Sequence, residues 1–206
     1  MQIEIDKLKK AIDQAKEINE IYELHYIGAK NNNVKSTDDL RDLCSKYLQK
    51  NIDFYEHKLM HHKDHPIRGF FLAFDKGNRY EVALLSSQNY CWRRLVLCKE
   101  LFHVILYDNN NCNKSIKSLI DEATTIKLQT ESNKPAYEPL QWELLAEIAA
   151  MEFLFPYSER EKIITRLSFI SSKSPNYAEI AEQYKIPRTV VEQYLSTSRM
   201  SVLRNI

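Results

Sequence analysis

The stretch RRLVLCKELFHVIL, residues 93–106, contradicts itself. Its apolar residues surround the helix axis, so it reads as a core helix spanning about 91–107. Yet Lys99, Glu100 and His103 stand in its middle. Burying three ionisable groups is costly unless they pair, bind something or do chemistry. One helical turn separates positions 99 and 103, so Lys99 and His103 share a face with Glu100 beside them. Val96 and Tyr107 flank this face.

A second apolar helix offers the matching charge. LQWELLAEIAAMEFLF, residues 140–155, contains strong helix formers and no glycine, and Pro156 stops it. It carries Glu143 and Glu147, again at i and i+4. The expected geometry has His103 and Glu143 facing each other across two packed helices, with Glu100 lining the same cleft.

Around this pair the periodicity predicts a helix over 4–24, with Leu8, Ile12, Ala15, Ile18 and Tyr22 on one stripe. A loop follows, then a helix capped by Ser36 or Thr37 that carries Leu40, Leu43 and Leu48. NIDFYEHKL reads as a strand. IRGFFLAFDKGNRYEVALL reads as two strands joined around Asp75-Lys76-Gly77-Asn78. Further helices are predicted over 114–128 and 158–169, and YAEIAEQYKIPRTVVEQYL reads as helix, turn, helix. The expected fold class is α+β, several helices on a short antiparallel sheet. The organisation read is an N-terminal helix and loop, 1–35, and a main body, 36–206, forming a single compact domain.

A formal net charge of +1 supplies no general pull toward nucleic acid. The second helix of the closing pair offers only Arg188, against Glu192, so direct nucleic-acid binding is not expected. No apolar run is long enough to span a bilayer, and MQIEIDKLKK lacks the apolar core of a signal peptide; a cytoplasmic location is the expectation. Cys44, Cys91, Cys98 and Cys112 form no C-x-x-C pair and read as structural. His57, His61, His62 and His65 cluster in HKLMHHKDH, either as a solvated strand end and loop or as a source of metal ligands.

With one substitution, residues 99–103 spell H-E-x-x-H, the helical zinc-peptidase signature, Lys99 standing where the first His belongs. RRLVLCKELFHVIL resembles the core helix of the ImmA/IrrE metallopeptidase family, which usually reads R-F-x-x-A-H-E-x-x-H-x-x-L. WELLAEIAAMEFLFP is similar to that family's second signature, E-x-x-A-N-x-F-A-x-x-L-L-M-P, with Glu147 in place of the usual Asn and Pro156 at the terminal Pro. The hairpin ending YEVALLSS and the closing helices also suit the family, so the resemblance spans roughly residues 38–196. It implies a small zincin-like domain that acts on a protein partner, such as a helix-turn-helix repressor in phage, mobile-element or stress responses. By position it implies Glu100 as general base and His103 and Glu143 as zinc ligands; Glu147, one turn from Glu143, and Tyr107, flanking the His103 face, are accessory candidates by their spacing.

Lys99 divides this expectation in two. An amine ligates only when neutral, and deprotonating a lysine at pH 7 costs roughly 4–5 kcal/mol before any binding. In the first reading the chain is a zinc-dependent endopeptidase with a modified ligand set. In the second, Lys99 pairs with a glutamate in place of metal, and the domain binds a partner without hydrolysing it. DNA binding through residues 176–195 is a third, weaker reading.

Overall fold

The computed structural model describes residues 4–26, 34–46, 48–57, 68–107, 138–169 and 175–204. The expected helix over 114–128, Cys112, His61, His62 and His65 lie outside these residues. The elements are α1 (Ile5–His25), α2 (Thr37–Lys46), β1 (Ile52–His57), β2 (Gly69–Phe74), β3 (Arg79–Leu85), α3 (Tyr90–Ile105), α4 (Glu138–Leu154), α5 (Tyr157–Phe169), α6 (Tyr177–Tyr184), α7 (Arg188–Tyr194) and α8 (Thr197–Arg204). The fold class is α+β, with eight helices and a three-stranded sheet among the described residues.

The sheet has the order β1-β3-β2 and is mixed, which corrects the expected antiparallel arrangement. β2 and β3 form the antiparallel hairpin, turning at Asp75–Gly77, and β1 lies parallel to β3 with Phe54 opposite Val82. The physical reason is the pairing partner. Strand alternation in 52–57 reports one strand but not its neighbour, and β1 pairs with the second arm of the hairpin, running the same way.

Helices α3 and α4 form the centre. α3 packs on β2, β3, α2 and α4, while α4 packs on both α3 and α1. A helix packed on several sides needs apolar residues on each of them, and both carry a majority of apolar residues. The α1 stripe of Leu8, Ala11, Ile12, Ala15, Ile18 and Tyr22 is buried in the same cluster, so the N-terminal helix belongs to the main core. Gly69 lets the start of β2 meet α3: a Cβ there would stand 2.5 Å from Val96 Cγ1. Asn89 caps α3, its side chain accepting from the Trp92 N–H at 3.0 Å. Ser36 caps α2, its Oγ accepting from the Asp39 N–H at 3.1 Å.

Two buried cations tie the elements together. Arg94, only 3% exposed, donates from Nη2 to Lys35 O at 2.6 Å and from Nη1 to Tyr184 O at 2.7 Å and Lys185 O at 3.2 Å. Lys35 donates to Phe153 O at 2.9 Å, and burial pulls its pKa down from the ordinary 10.5 to about 8, although Glu23 pulls the other way. Between those values the unfolded chain keeps a proton that the folded chain has released, so this residue's contribution to stability grows as pH rises. The stability difference between wild type and Lys35→Met is therefore expected to move in favour of wild type by roughly 1–2 kcal/mol from about pH 7 to about pH 10. Urea unfolding of both proteins at the two pH values checks this; a pH-independent difference would mean that the amine is hydrated in the fold.

Candidate functional site: a lysine between two glutamates

α3 and α4 bring together four of the side chains singled out from the sequence. Lys99 Nζ lies 2.6 Å from Glu143 Oε2 and 3.0 Å from Glu100 Oε1. His103 Nε2 lies 3.2 Å from the other oxygen, Glu143 Oε1, an approach that does not align as a hydrogen bond. Glu143 thus receives the ammonium on one oxygen and the imidazole on the other.

The four groups differ in their access to water. Glu100 is 1% exposed and His103 7%, whereas the Lys99 side chain is 21% exposed and that of Glu143 is 43% exposed. The cluster therefore has a buried floor on α3 and an open rim on α4. Phe71 of β2 supplies one wall, its ring stacked on the His103 imidazole with centroids 4.8 Å apart and planes 12° off parallel.

The electrostatics lock the charges in place. Burial alone would lower the pKa of Lys99, but the carboxylates of Glu100 and Glu143 outweigh it and hold the value above that of a free lysine. Burial alone would raise the Glu143 carboxyl, but the pull of His103 and Lys99 holds it well below the usual carboxylate range. The folded arrangement is an ammonium clamped by acids.

Zinc does not fit this arrangement. A metal ligand must offer a lone pair, and the position of the first ligand holds a protonated amine that donates to Glu143 and lies at ion-pair distance from Glu100. Among the described residues, no group of three or more His, Cys, Asp or Glu side chains is placed to hold a metal ion. What the cluster can do is bridge α3 to α4 and present a half-open carboxylate at the rim.

The remaining candidates lie elsewhere. Glu147, one turn beyond Glu143, accepts from Tyr194 Oη at 2.9 Å and lies 3.6 Å from Arg199, facing the C-terminal helices. Tyr107 packs edge-on against Tyr80, with centroids 5.4 Å apart, past the end of α3. His57 ends β1, and its ring stacks on Phe70 at 6.3 Å. Cys98 turns to the other helix, its Sγ 3.8 Å from Ala150 O, and burial pushes its thiol pKa up. Arg188 is paired with Glu192 at 2.8 Å. The sequence shows Arg94 only as a charge inside the RRLVLCKE run, and nothing local names its partners at Lys35 and Tyr184.

The chain matches no known family model, and no curated protein matches it. What fold and site define is an α+β protein with a half-buried lysine–glutamate–histidine cluster between two core helices. No helix among the described residues is long and apolar enough to cross a membrane.

Proposed function

We propose that the chain is a metallopeptidase-like domain, similar to the ImmA/IrrE type, that has exchanged its metal for an internal ammonium. It works by binding a protein partner, of which a helix-turn-helix repressor is the type implied by the resemblance. It does not cut that partner. The observation that carries this reading is the Lys99 ammonium at 2.6 and 3.0 Å from Glu143 and Glu100. A lysine there stabilises the two acids as a cation would, but it can neither polarise a water nor open a coordination site. The zinc-dependent peptidase, with Glu100 as base and His103 and Glu143 as ligands, is the competing reading.

Elemental analysis of protein purified without an affinity tag decides between them. The expected result is far less than one zinc per chain for wild type. Lys99→His, which completes a His–His–Glu set at the right helical spacing, is expected to bind about one zinc and to be stabilised by added zinc through mass action. Stoichiometric zinc in the wild-type protein would restore the peptidase reading. A Lys99→His variant that gains no zinc would show that the surroundings have moved too far for a single substitution to rebuild a metal site.

A further inference from the structure

A cavity of about 420 Å³ lies apart from the charge cluster, and its charge is one-sided. Lys7 and Lys10 reach it from α1, Lys50 from the segment before β1, and Lys76 from the turn between β2 and β3. Trp142 of α4 and Tyr107, just past α3, supply aromatic walls. No aspartate or glutamate lines it among the described residues. Lys7 is paired with Glu4 at 3.3 Å, on a carboxylate that is itself 61% exposed. Lys10, Lys50 and Lys76 have no acid within ion-pair distance among the described residues; Lys50 lies instead over the Tyr80 ring at 5.5 Å. The C-terminal end of α3 brings at most about half a negative charge to this region, far less than the ammonium groups of Lys10, Lys50 and Lys76 carry.

Lysines on a helix surface ordinarily spread into solvent, because like charges repel and long side chains are free to separate. Here they converge from three separate parts of the chain. The turn that delivers Lys76 is also held in an unfavourable conformation. Asp75 and Lys76 both sit at positive φ, 50° and 57°, which costs a residue with a side chain on the order of 1 kcal/mol or more. Gly77 follows at φ 88°, and a Cβ there would stand 2.4 Å from the Tyr107 ring, so only glycine lets the turn close against this wall.

We propose that this cavity binds a small ligand carrying several linked phosphates, of the size and charge of a nucleoside triphosphate. Its volume falls within the range of small-molecule sites. Three lysine charges with no acid beside them among the described residues, and Lys7 next to them, suit a flexible chain of phosphates better than a single planar carboxylate. The aromatic walls offer an apolar surface to whatever carries the phosphates. The site uses none of Lys99, Glu100, His103 and Glu143, so this inference stands or falls separately from the reading of the charge cluster.

The chain has two tryptophans, and only Trp142 lines the cavity, so Trp92→Phe leaves its indole as the single reporter. The 206-residue chain at about 0.15 M salt is titrated with tripolyphosphate, ATP and inorganic phosphate, following fluorescence and, independently, calorimetric heat. The expected result is saturable binding of tripolyphosphate and ATP, with single phosphate much weaker. Equal affinity for the two assigns recognition to the phosphates alone; tighter ATP adds the ring against the aromatic wall. Lys10→Glu with Lys76→Glu, both on exposed residues, should weaken binding roughly tenfold or more, as loss of charge-assisted contacts does. Lys9→Glu with Lys16→Glu, on α1 outside the cavity, changes the net charge equally and should weaken it by about twofold at most. No saturable binding below about 1 mM by either readout, an equal loss in the two double variants, or binding of a single-stranded oligonucleotide but of no small polyphosphate would each overturn the proposal.

Discussion

Arg94→Ala is expected to cost about 3–5 kcal/mol of folding stability, the largest loss of any single substitution considered for this chain. The guanidinium is buried and donates to three carbonyls, those of Lys35, Tyr184 and Lys185, with Nε adding a longer bond of 3.2 Å to Lys35 O. Hydrogen bonds from a charged donor contribute about 1.5–3 kcal/mol each, and losing the donor leaves buried carbonyl groups without partners. Burial lowers the Arg94 pKa, but a guanidinium stays charged at any ordinary pH, so the loss should be nearly independent of pH. Arg94→Lys should recover less than half, because one ammonium cannot reach the Lys35 carbonyl and those of Tyr184 and Lys185 together as a fork does. The neighbour makes the control. Arg93 pairs with Glu56 at the surface, both half exposed, and Arg93→Ala should cost no more than about 0.5 kcal/mol. Urea unfolding of the three variants measures the set. A loss below about 1 kcal/mol for Arg94→Ala would mean that water satisfies those carbonyls and that the clamp is incidental.

Lys99→Ala should cost about 2–4 kcal/mol. Breaking a fully buried ion pair typically costs 3–5 kcal/mol, and here Glu143 opens to solvent, which screens part of the interaction. Most of the loss comes from Glu100, left 1% exposed with its cation removed. A double-mutant cycle of Lys99→Met and Glu143→Gln isolates the pair, and a coupling below about 0.5 kcal/mol would mean that the ammonium is solvated. The pH dependence has a definite sign on each side. The Glu143 carboxyl is depressed from its ordinary 4.5, so its contribution is present above that value and is lost as pH falls through the lower folded-state value. Lys99 is raised from its ordinary 10.5, so its contribution is full below that value and is lost as pH rises through the higher folded-state value. The coupling should therefore be flat between about pH 5 and pH 10 and should decline outside those limits.

What could be read from the sequence was set by the range of the interaction. The α1 stripe, the Ser36 cap and the hairpin turn at 75–78 depend on residues a few positions apart, and the structure has them. The meeting of Lys99 with Glu143 was legible for a related reason. Both stand on otherwise apolar helices, and charges on buried faces must find each other. Glu147 shows where that logic ends. It shares the Glu143 face by spacing, yet one turn along α4 the neighbours are Tyr194 and Arg199, which lie about fifty residues further on. The parallel pairing of β1, the Arg94 clamp and the lysine cavity were illegible for the same reason. Each is assembled from segments that carry no local mark of their meeting, and the four lysines look like ordinary surface charge until the fold gathers them.

The reach of Arg94 also bears on how the chain is assembled over time. One of its partners lies 59 residues earlier and another 90 residues later. Translation adds roughly 5–20 residues each second, so a nascent chain carries the guanidinium for roughly 5–18 s before Tyr184 has even been joined to it. Contacts closing so large a loop form late on the route to the native state, since the loop entropy must be met first. The clamp is then expected to act as a latch on the finished molecule: Arg94→Ala should change the folding rate little and raise the unfolding rate.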